Sequence, residues 1–471
     1  TYVPAMKMFD GIISANLEGS GTFNELSVKN FNIDYNNTSL KANGVLKNLL
    51  DTEKMCFDLH VTDSYIDPTD PNKFLRELEL PEYVEFGIIK IDTLTYFGGP
   101  LEFKTTFAIR TDKGNLNGTA NLNMRSPDMI YDATLITSNL DIGPFTSIST
   151  DLNSEIKISG VGFDPQKMKF DLEMEGVSSR FGEKYFNNIN IISNAENGLI
   201  TTTLSLSSDS TSVDLLATLD FNNPYDPAYD IKGKLNGINL AKLLNNESLD
   251  SDINLTLDAS GQGFDPDSMD IFLVTDIQNS RFMDFDIDST RLIMDVRRND
   301  GGKKIINIIS DIADFTISGD FLITTLGDVL SREAEIINAA MEAKINPILK
   351  SDSTYISTSN ILLPTTQNSI KDFALEYLLD FKESMNLTLG EGQLNLEGQI
   401  DGKMESSNDS LTVSLNSKID YLKYLNHKDV LFLVNANLKC VLANHLIDGY
   451  SGNVFADVKF DAERLYAGGN I

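Results

Sequence analysis

From residue 115 to residue 124, Leu116, Gly118, Ala120, Leu122 and Met124 alternate one by one with Asn115, Asn117, Thr119, Asn121 and Asn123. A period of two puts the two sets on opposite faces of a β-strand. The pattern recurs at Val213-Leu215-Ala217-Leu219-Phe221, at Leu394-Leu396-Gly398-Ile400, at Leu411-Val413-Leu415 and at Val454-Ala456-Val458-Phe460. One face is apolar and the other wet, which predicts antiparallel sheet rather than the doubly buried strands of a parallel α/β core. Asn, Asp and Gly clusters between the runs supply the turns. Three stretches depart from period two. Asn72 to Leu80, after Pro68 and Pro71, predicts a short helix with Asn72 as its N-cap. Thr325 to Leu349 places Leu326, Val329, Leu330, Ile336, Ile337, Ala340, Met341, Ile345 and Ile348 at helical spacing, and Ser369 to Met385 does the same with Ile370, Phe373, Ala374, Tyr377, Leu378 and Phe381. These two predict a helical insert, after which strands resume at Asn386.

The chain also repeats itself. Ser159-Gly160-Val161-Gly162-Phe163-Asp164-Pro165 returns as Ser260-Gly261-Gln262-Gly263-Phe264-Asp265-Pro266, and Ser179-Arg180-Phe181 returns as Ser280-Arg281-Phe282. The offset in both cases is 260 − 159 = 280 − 179 = 101 residues. Alternating runs flank each copy, with Leu172 after the first and Leu255 and Leu257 before the second. Upstream, Tyr131-Asp132 returns as Tyr229-Asp230. A repeat this long is the signature of an array. The expected organisation is an N-terminal β part over 1–130, two β units over 131–325 (about 131–228 and 229–325), the helical insert over 326–385 and further strands over 386–471. Gly at the repeat permits close backbone approach and Asp-Pro makes a turn, so the motif reads as the join where one β unit hands over to the next, with Phe163 and Phe264 packed at equivalent positions one unit apart.

Charge narrows the partners. With 69 acidic against 38 basic residues the net charge is −31, which repels nucleic-acid phosphates and anionic membrane surfaces. The 41% hydrophobic content is that of a folded protein. Two cysteines, Cys56 and Cys440, permit one disulfide and do not establish it. The sequence has no run of about 18 apolar residues and no secretory leader, so any anchor is expected outside it.

Catalytic chemistry finds no foothold. His60, His427 and His445 lie in no triad or zincin pattern. Cys56 and His60 on a strand stand roughly 13 Å apart, too far to share one ion. Asp284, Asp286, Asp288 and Asp295 approach calcium-loop spacing, but Ser289 stands where the loop needs Gly. The two Gly-x-Gly segments lack the third glycine of a dinucleotide fingerprint. No catalytic residue and no cofactor is expected.

The order of motifs is Tyr131-Asp132, Leu140-Asp141-Ile142-Gly143, Ser-Gly-x-Gly-Phe-Asp-Pro, Asn222-Asn223-Pro224-Tyr225-Asp226-Pro227 and Ser310-Asp311-Ile312-Ala313-Asp314-Phe315. In this it resembles the TamB-like (translocation and assembly module) proteins of the AsmA-like, bridge-like lipid-transfer superfamily, over most of residues 1–325. The resemblance implies a mainly β fold, a long curved antiparallel taco-like sheet with an apolar groove. It implies a non-enzymatic periplasmic bridge carrying phospholipid acyl chains between inner and outer membranes, or supporting outer-membrane protein assembly with a partner there. The inner-membrane anchor would lie outside this chain. The groove face would be Leu116, Ala120, Leu122, Met124, Leu172, Leu215, Ala217, Leu219, Leu255, Leu257, Leu394, Leu396 and Val413. The other expectation is a structural or adhesive extracellular repeat of closed β-sandwiches, because one-sided strands build those equally well.

Overall fold

A computed structural model of the chain describes residues 13–70, 84–326 and 373–469, apart from 147, 245, 283–284, 288, 300, 325, 390–391, 408–409, 426–428 and 448–449. Among these residues the protein is mainly β, an open antiparallel sheet of 26 strands with two short α-helices. The chain clusters into two compact units, Thr1–Pro224 with Ile231–Asp252, and Tyr225–Asp230 with Ile253–Ile471.

The first unit is a meander of β1 (Ile13–Thr22), β2 (Glu25–Tyr35), β3 (Thr38–Lys47), β4 (Cys56–Ile66), β5 (Ile89–Gly99), β6 (Glu102–Thr111), β7 (Gly114–Asn123), β8 (Ile130–Leu140), β9 (Thr150–Val161), β10 (Lys169–Phe181), β11 (Lys184–Glu196), β12 (Leu199–Ser207) and β13 (Ser212–Asp220). Each strand pairs antiparallel with the next. Helix α1 (Gly143–Thr146) joins β8 to β9. Beyond β13 come β14 (Ala228–Ile238) and α2 (Leu240–Leu244). Tight connections carry the residues their backbones need: Asn197 and Gly198 have φ of 55° and 79° between β11 and β12, the left-handed pair of a two-residue hairpin.

The second unit holds β15 (Ser251–Gln262) from Ile253 onward, β16 (Asp270–Ile277), β17 (Ser280–Phe282), β18 (Phe285–Ile287), β19 (Thr290–Arg298), β20 (Lys304–Ser310), β21 (Ala313–Asp320), β22 (Phe373–Leu389), β23 (Gly392–Ser407), β24 (Ser410–Leu425), β25 (Asp429–Ile447) and β26 (Tyr450–Gly469). Neighbours again pair antiparallel, except that β16 pairs with β19 past the small β17–β18 hairpin.

The second helix of the expected insert, over 369–385, is corrected by this topology. Residues 373–389 are β22, hydrogen-bonded to β21 on one side and β23 on the other. The helices expected over 72–80 and 325–349 lie outside the described residues, apart from Leu326, whose N–H bonds to the Leu322 carbonyl at 3.1 Å.

The sequence repeat is a structural repeat. Gly162 and Gly263 have φ of 72° and 78°, and their N–H groups bond to the carbonyls of Met129 and Pro227 at 2.8 and 2.9 Å. The Asp164 and Asp265 carbonyls accept from Met168 and Met269, each at 2.7 Å. Phe163 stacks on Tyr131 with ring centroids 5.0 Å apart and Phe264 stacks on Tyr229 at 5.7 Å, the equivalence the sequence predicts. The expected join between units is corrected: the motif is the β9–β10 hairpin in one copy and the β15–β16 hairpin in the other, so it joins strands inside each copy.

At the far end of β8, the Asp141 carboxylate accepts the N–H groups of Gly143 and Thr150, each at 2.9 Å, and the Lys113 ammonium at 2.9 Å. Burial works to raise this carboxyl. The Thr150 N–H, the ammonium and the Gly143 N–H outweigh it and hold the group below the usual carboxylate range. The folded state thus binds this proton more weakly than the unfolded chain, where Asp titrates at about 3.9. Its contribution is present above that pH and lost as pH falls through the folded value. Asp141→Asn is expected to flatten the acid limb of stability below about pH 4, read from thermal midpoints on the two proteins across that range.

Candidate functional site: an apolar sheet face

Paired residues in an antiparallel ladder share a face, so the register fixes which side chains lie together. One row of the first unit runs Gly98, Phe103, Leu122, Tyr131, Gly160, Phe170, Ala195, Ile200, Leu219 across β5 to β13. The next runs Tyr96, Thr105, Ala120, Ala133, Ile158, Leu172, Ser193, Thr202, Ala217. Leu116 and Leu215 sit on the same face, paired with Ile109 and Leu204. Nine strands at about 4.8 Å spacing carry each row about 40 Å. The opposite face is more polar, with Asn121, Asp132, Ser159, Asp171, Asn194, Thr201 and Thr218 as one of its rows, although it also exposes Phe97, Ile136, Ile192 and Leu216.

The second unit builds the same kind of face. Gly261, Ile271, Val296, Ile306, Ile317, Tyr377, Gly402, Leu415, Cys440 and Val458 form a row across ten strands. Strand alternation puts Leu255, Leu257, Leu394, Leu396 and Val413 on this side. Twelve of the thirteen expected groove residues therefore fall on one face of their own unit. Met124 does not: β7 ends at Asn123, and Met124 lies in the following connection, 39% exposed, with its N–H on the Leu101 carbonyl at 2.7 Å.

Burial separates this face from the interior of a sandwich. All twelve side chains are half-buried. Facing sheets would remove them from water completely. Buried apolar residues are scattered along the strands, Tyr131, Ala195 and Val296 of these rows among them, and among the described residues they cluster at Met174, Phe186 and Ile189, against which Ile156, Leu172, Phe181, Ile191 and Leu206 pack.

Two devices shape the face, and neither is apparent in the sequence. In the first, a residue with positive φ precedes a buried serine: Asp63-Ser64, Ser178-Ser179 and Asn279-Ser280, with φ of 45°, 47° and 34°. The serine Oγ accepts the N–H of Lys41, Asn153 or Asn254 on the adjoining strand at 2.8–2.9 Å. It donates to the carbonyl two residues back, that of Thr62, Val177 or Gln278. This is a bulge that bends the strand while its polar groups stay satisfied. The only signal in the sequence is the 101-residue spacing of the last two. In the second device a tyrosine lies across a glycine of the neighbouring strand: Tyr131 over Gly160, Tyr229 over Gly261 and Tyr377 over Gly402. Burial pushes all three hydroxyls up.

Among the polar candidates, Cys440 stands on this face, in the row of the second unit, and Cys56 and His60 do not. Cys56 and His60 lie on β4, with His60 Nε2 3.7 Å from Asp58. Cys56 and Cys440 are both free and half-buried. Asp284, Asp288 and His427 lie outside the described residues. Among the described residues no group of three His, Cys, Asp or Glu is placed to hold a metal ion. No helix among them is long and apolar enough to cross a membrane.

Comparison with protein-family models, with curated proteins and with solved structures finds no match to this chain.

Proposed function

We propose that the apolar face carries phospholipid acyl chains, and that the protein is a non-enzymatic lipid-handling rail. The partly exposed apolar side chains that recur from strand to strand along these rows carry this reading. An acyl chain of about 16 carbons leaves water only if about 0.8 kcal/mol per methylene is offset, roughly 12 kcal/mol in all. Aliphatic side chains repeating strand after strand supply that contact without a shaped pocket, and the more polar reverse face stays in water. The resemblance to TamB-like proteins extends the proposal. In that reading the chain is a segment of a periplasmic bridge between inner and outer membranes, anchored through a segment outside it, or a support for outer-membrane protein assembly. The closed-sandwich alternative requires the face to be covered, and the half-exposure of its leucines speaks against it.

The test is lipid occupancy. Native mass spectrometry of the purified chain is expected to find phospholipid adducts. Photo-crosslinkers at Leu122, Leu219 and Leu257 are expected to capture lipid, while one at Asn121 on the reverse face captures none. Leu122→Asp with Leu219→Asp, both in one row, is expected to abolish the adducts with the protein still folded. Purification free of lipid, together with empty crosslinkers at all three leucines, ends the proposal.

A further inference from the structure

A meander places its connections alternately on two edges of the sheet, and in the first unit the two edges differ. On one edge lie the connections β1–β2, β3–β4, β5–β6, β7–β8, β9–β10 and β11–β12. Each has an exposed apolar side chain in it or next to it: Phe23, Leu50, Leu101, Met124, Phe163 and Leu199, between 39% and 79% exposed. On the other edge the short connections are polar: Asn36-Asn37, Asp112-Lys113, Gly182-Glu183 and Ser208 to Thr211. The described residues of the two longer connections of that edge expose Val84 and Phe145, and Phe145 lies tilted against Phe86 with ring centroids 5.5 Å apart.

A second observation marks the same edge. The Tyr96 hydroxyl donates to the Gly99 carbonyl at 2.7 Å and the Tyr131 hydroxyl points to the Gly162 carbonyl at 3.5 Å. Both carbonyls belong to the edge with the apolar tips. These rings lie on the apolar face with their hydroxyls turned to its rim, the arrangement tyrosine takes where an apolar phase meets water.

We infer that this edge of the first unit seats on the surface of a zwitterionic phospholipid bilayer, its tips entering the headgroup layer one by one. The tips are separated by polar turn residues such as Asn24, Asn48, Asp164 and Asn197, so they form no continuous patch for a protein partner to cover. A fluid lipid interface accepts side chains singly. The net charge of −31 disfavours an anionic surface. The edge is continuous with the apolar face, so acyl chains would reach that face sideways across the tyrosine rim. This inference goes beyond the acyl-chain reading, which concerns the face, and the two can fail separately.

The chain contains no tryptophan, so a single introduced one reports its own surroundings. In the full chain, Phe163→Trp and Leu50→Trp are expected to shift to the blue, and to be quenched by brominated lipid, on adding phosphatidylcholine vesicles. Glu183→Trp on the opposite edge is expected to do neither. Phe23→Ser, Leu50→Ser and Phe163→Ser combined are expected to weaken vesicle co-flotation at least about tenfold while the melting temperature holds. Three results overturn the inference: tip tryptophans that keep a solvent-exposed spectrum with vesicles present, equal shifts at both edges, or tip burial that follows protein concentration without lipid and so marks contact with a second copy. Lipid adducts on the face together with unshifted tips would leave the rail reading standing and remove this one.

Discussion

Phe186→Ala is expected to lower stability by about 3–5 kcal/mol, the cost of a large cavity in a fully packed site. Phe186 is 2% exposed, meets Phe181 edge-on with ring centroids 6.0 Å apart, and closes a buried apolar cluster with Met174 and Ile189. The informative comparison is Leu122→Ala, on the open part of the same apolar face. Leu122 is half-buried, and water already reaches one side of it. Its truncation is expected to cost about 1–2 kcal/mol, because partial burial leaves less transfer free energy to lose. Urea unfolding followed by far-ultraviolet circular dichroism reads both. Equal losses at the two positions would mean that the open face is covered in solution, and would count against acyl chains lying on it.

Gly160→Ala and Gly261→Ala are expected to destabilise by about 2 kcal/mol each, and by the same amount to within about 0.5 kcal/mol. A Cβ on Gly160 would stand 2.5 Å from the Lys169 carbonyl oxygen and 2.6 Å from the Tyr131 hydroxyl oxygen, inside contact distance of both. On Gly261 it would meet the Asp270 carbonyl and the Tyr229 hydroxyl in the same way. The carbonyl is backbone and cannot swing aside, so moving the tyrosine relieves only half of the clash. Equality of the two losses tests the repeat as an energetic fact. A loss at only one of them would show that the two copies share a motif without sharing its packing.

The alternating strands and the duplicated hairpin are legible in the sequence because both depend on neighbours close along the chain. The pleat turns Leu116 and Leu122 to one side, and Gly162 supplies the left-handed turn that Asp164-Pro165 continues. The face was legible to the same extent, since the register only had to bring together strands whose apolar sides were already defined. Residues 373–385 were not legible. Their apolar content fits helical spacing through Phe373, Tyr377, Leu378 and Phe381, and fits a strand through Phe373, Leu375, Tyr377, Leu379 and Phe381. Pairing with β21 and β23 decides for the strand, and that information is tertiary. Met124 was misplaced for a related reason, because nothing in the alternation marks Asn123 as the last paired residue. Nor could alternation say that the described residues leave the face half-exposed, since a sandwich strand reads identically.

The repeat has a last consequence, for how such a chain can change length. In chain order β15, the counterpart of β9, comes six strands after it. Because six is even, an antiparallel meander that repeats with this period brings each hairpin back to the edge it left. A block of this size can be gained or dropped whole, and every remaining strand keeps its heading, its greasy side and its loop position. An odd block would reverse all three for everything downstream. Parity makes the reach of this sheet an adjustable dimension, lengthened by duplication without redesign of any residue already in place.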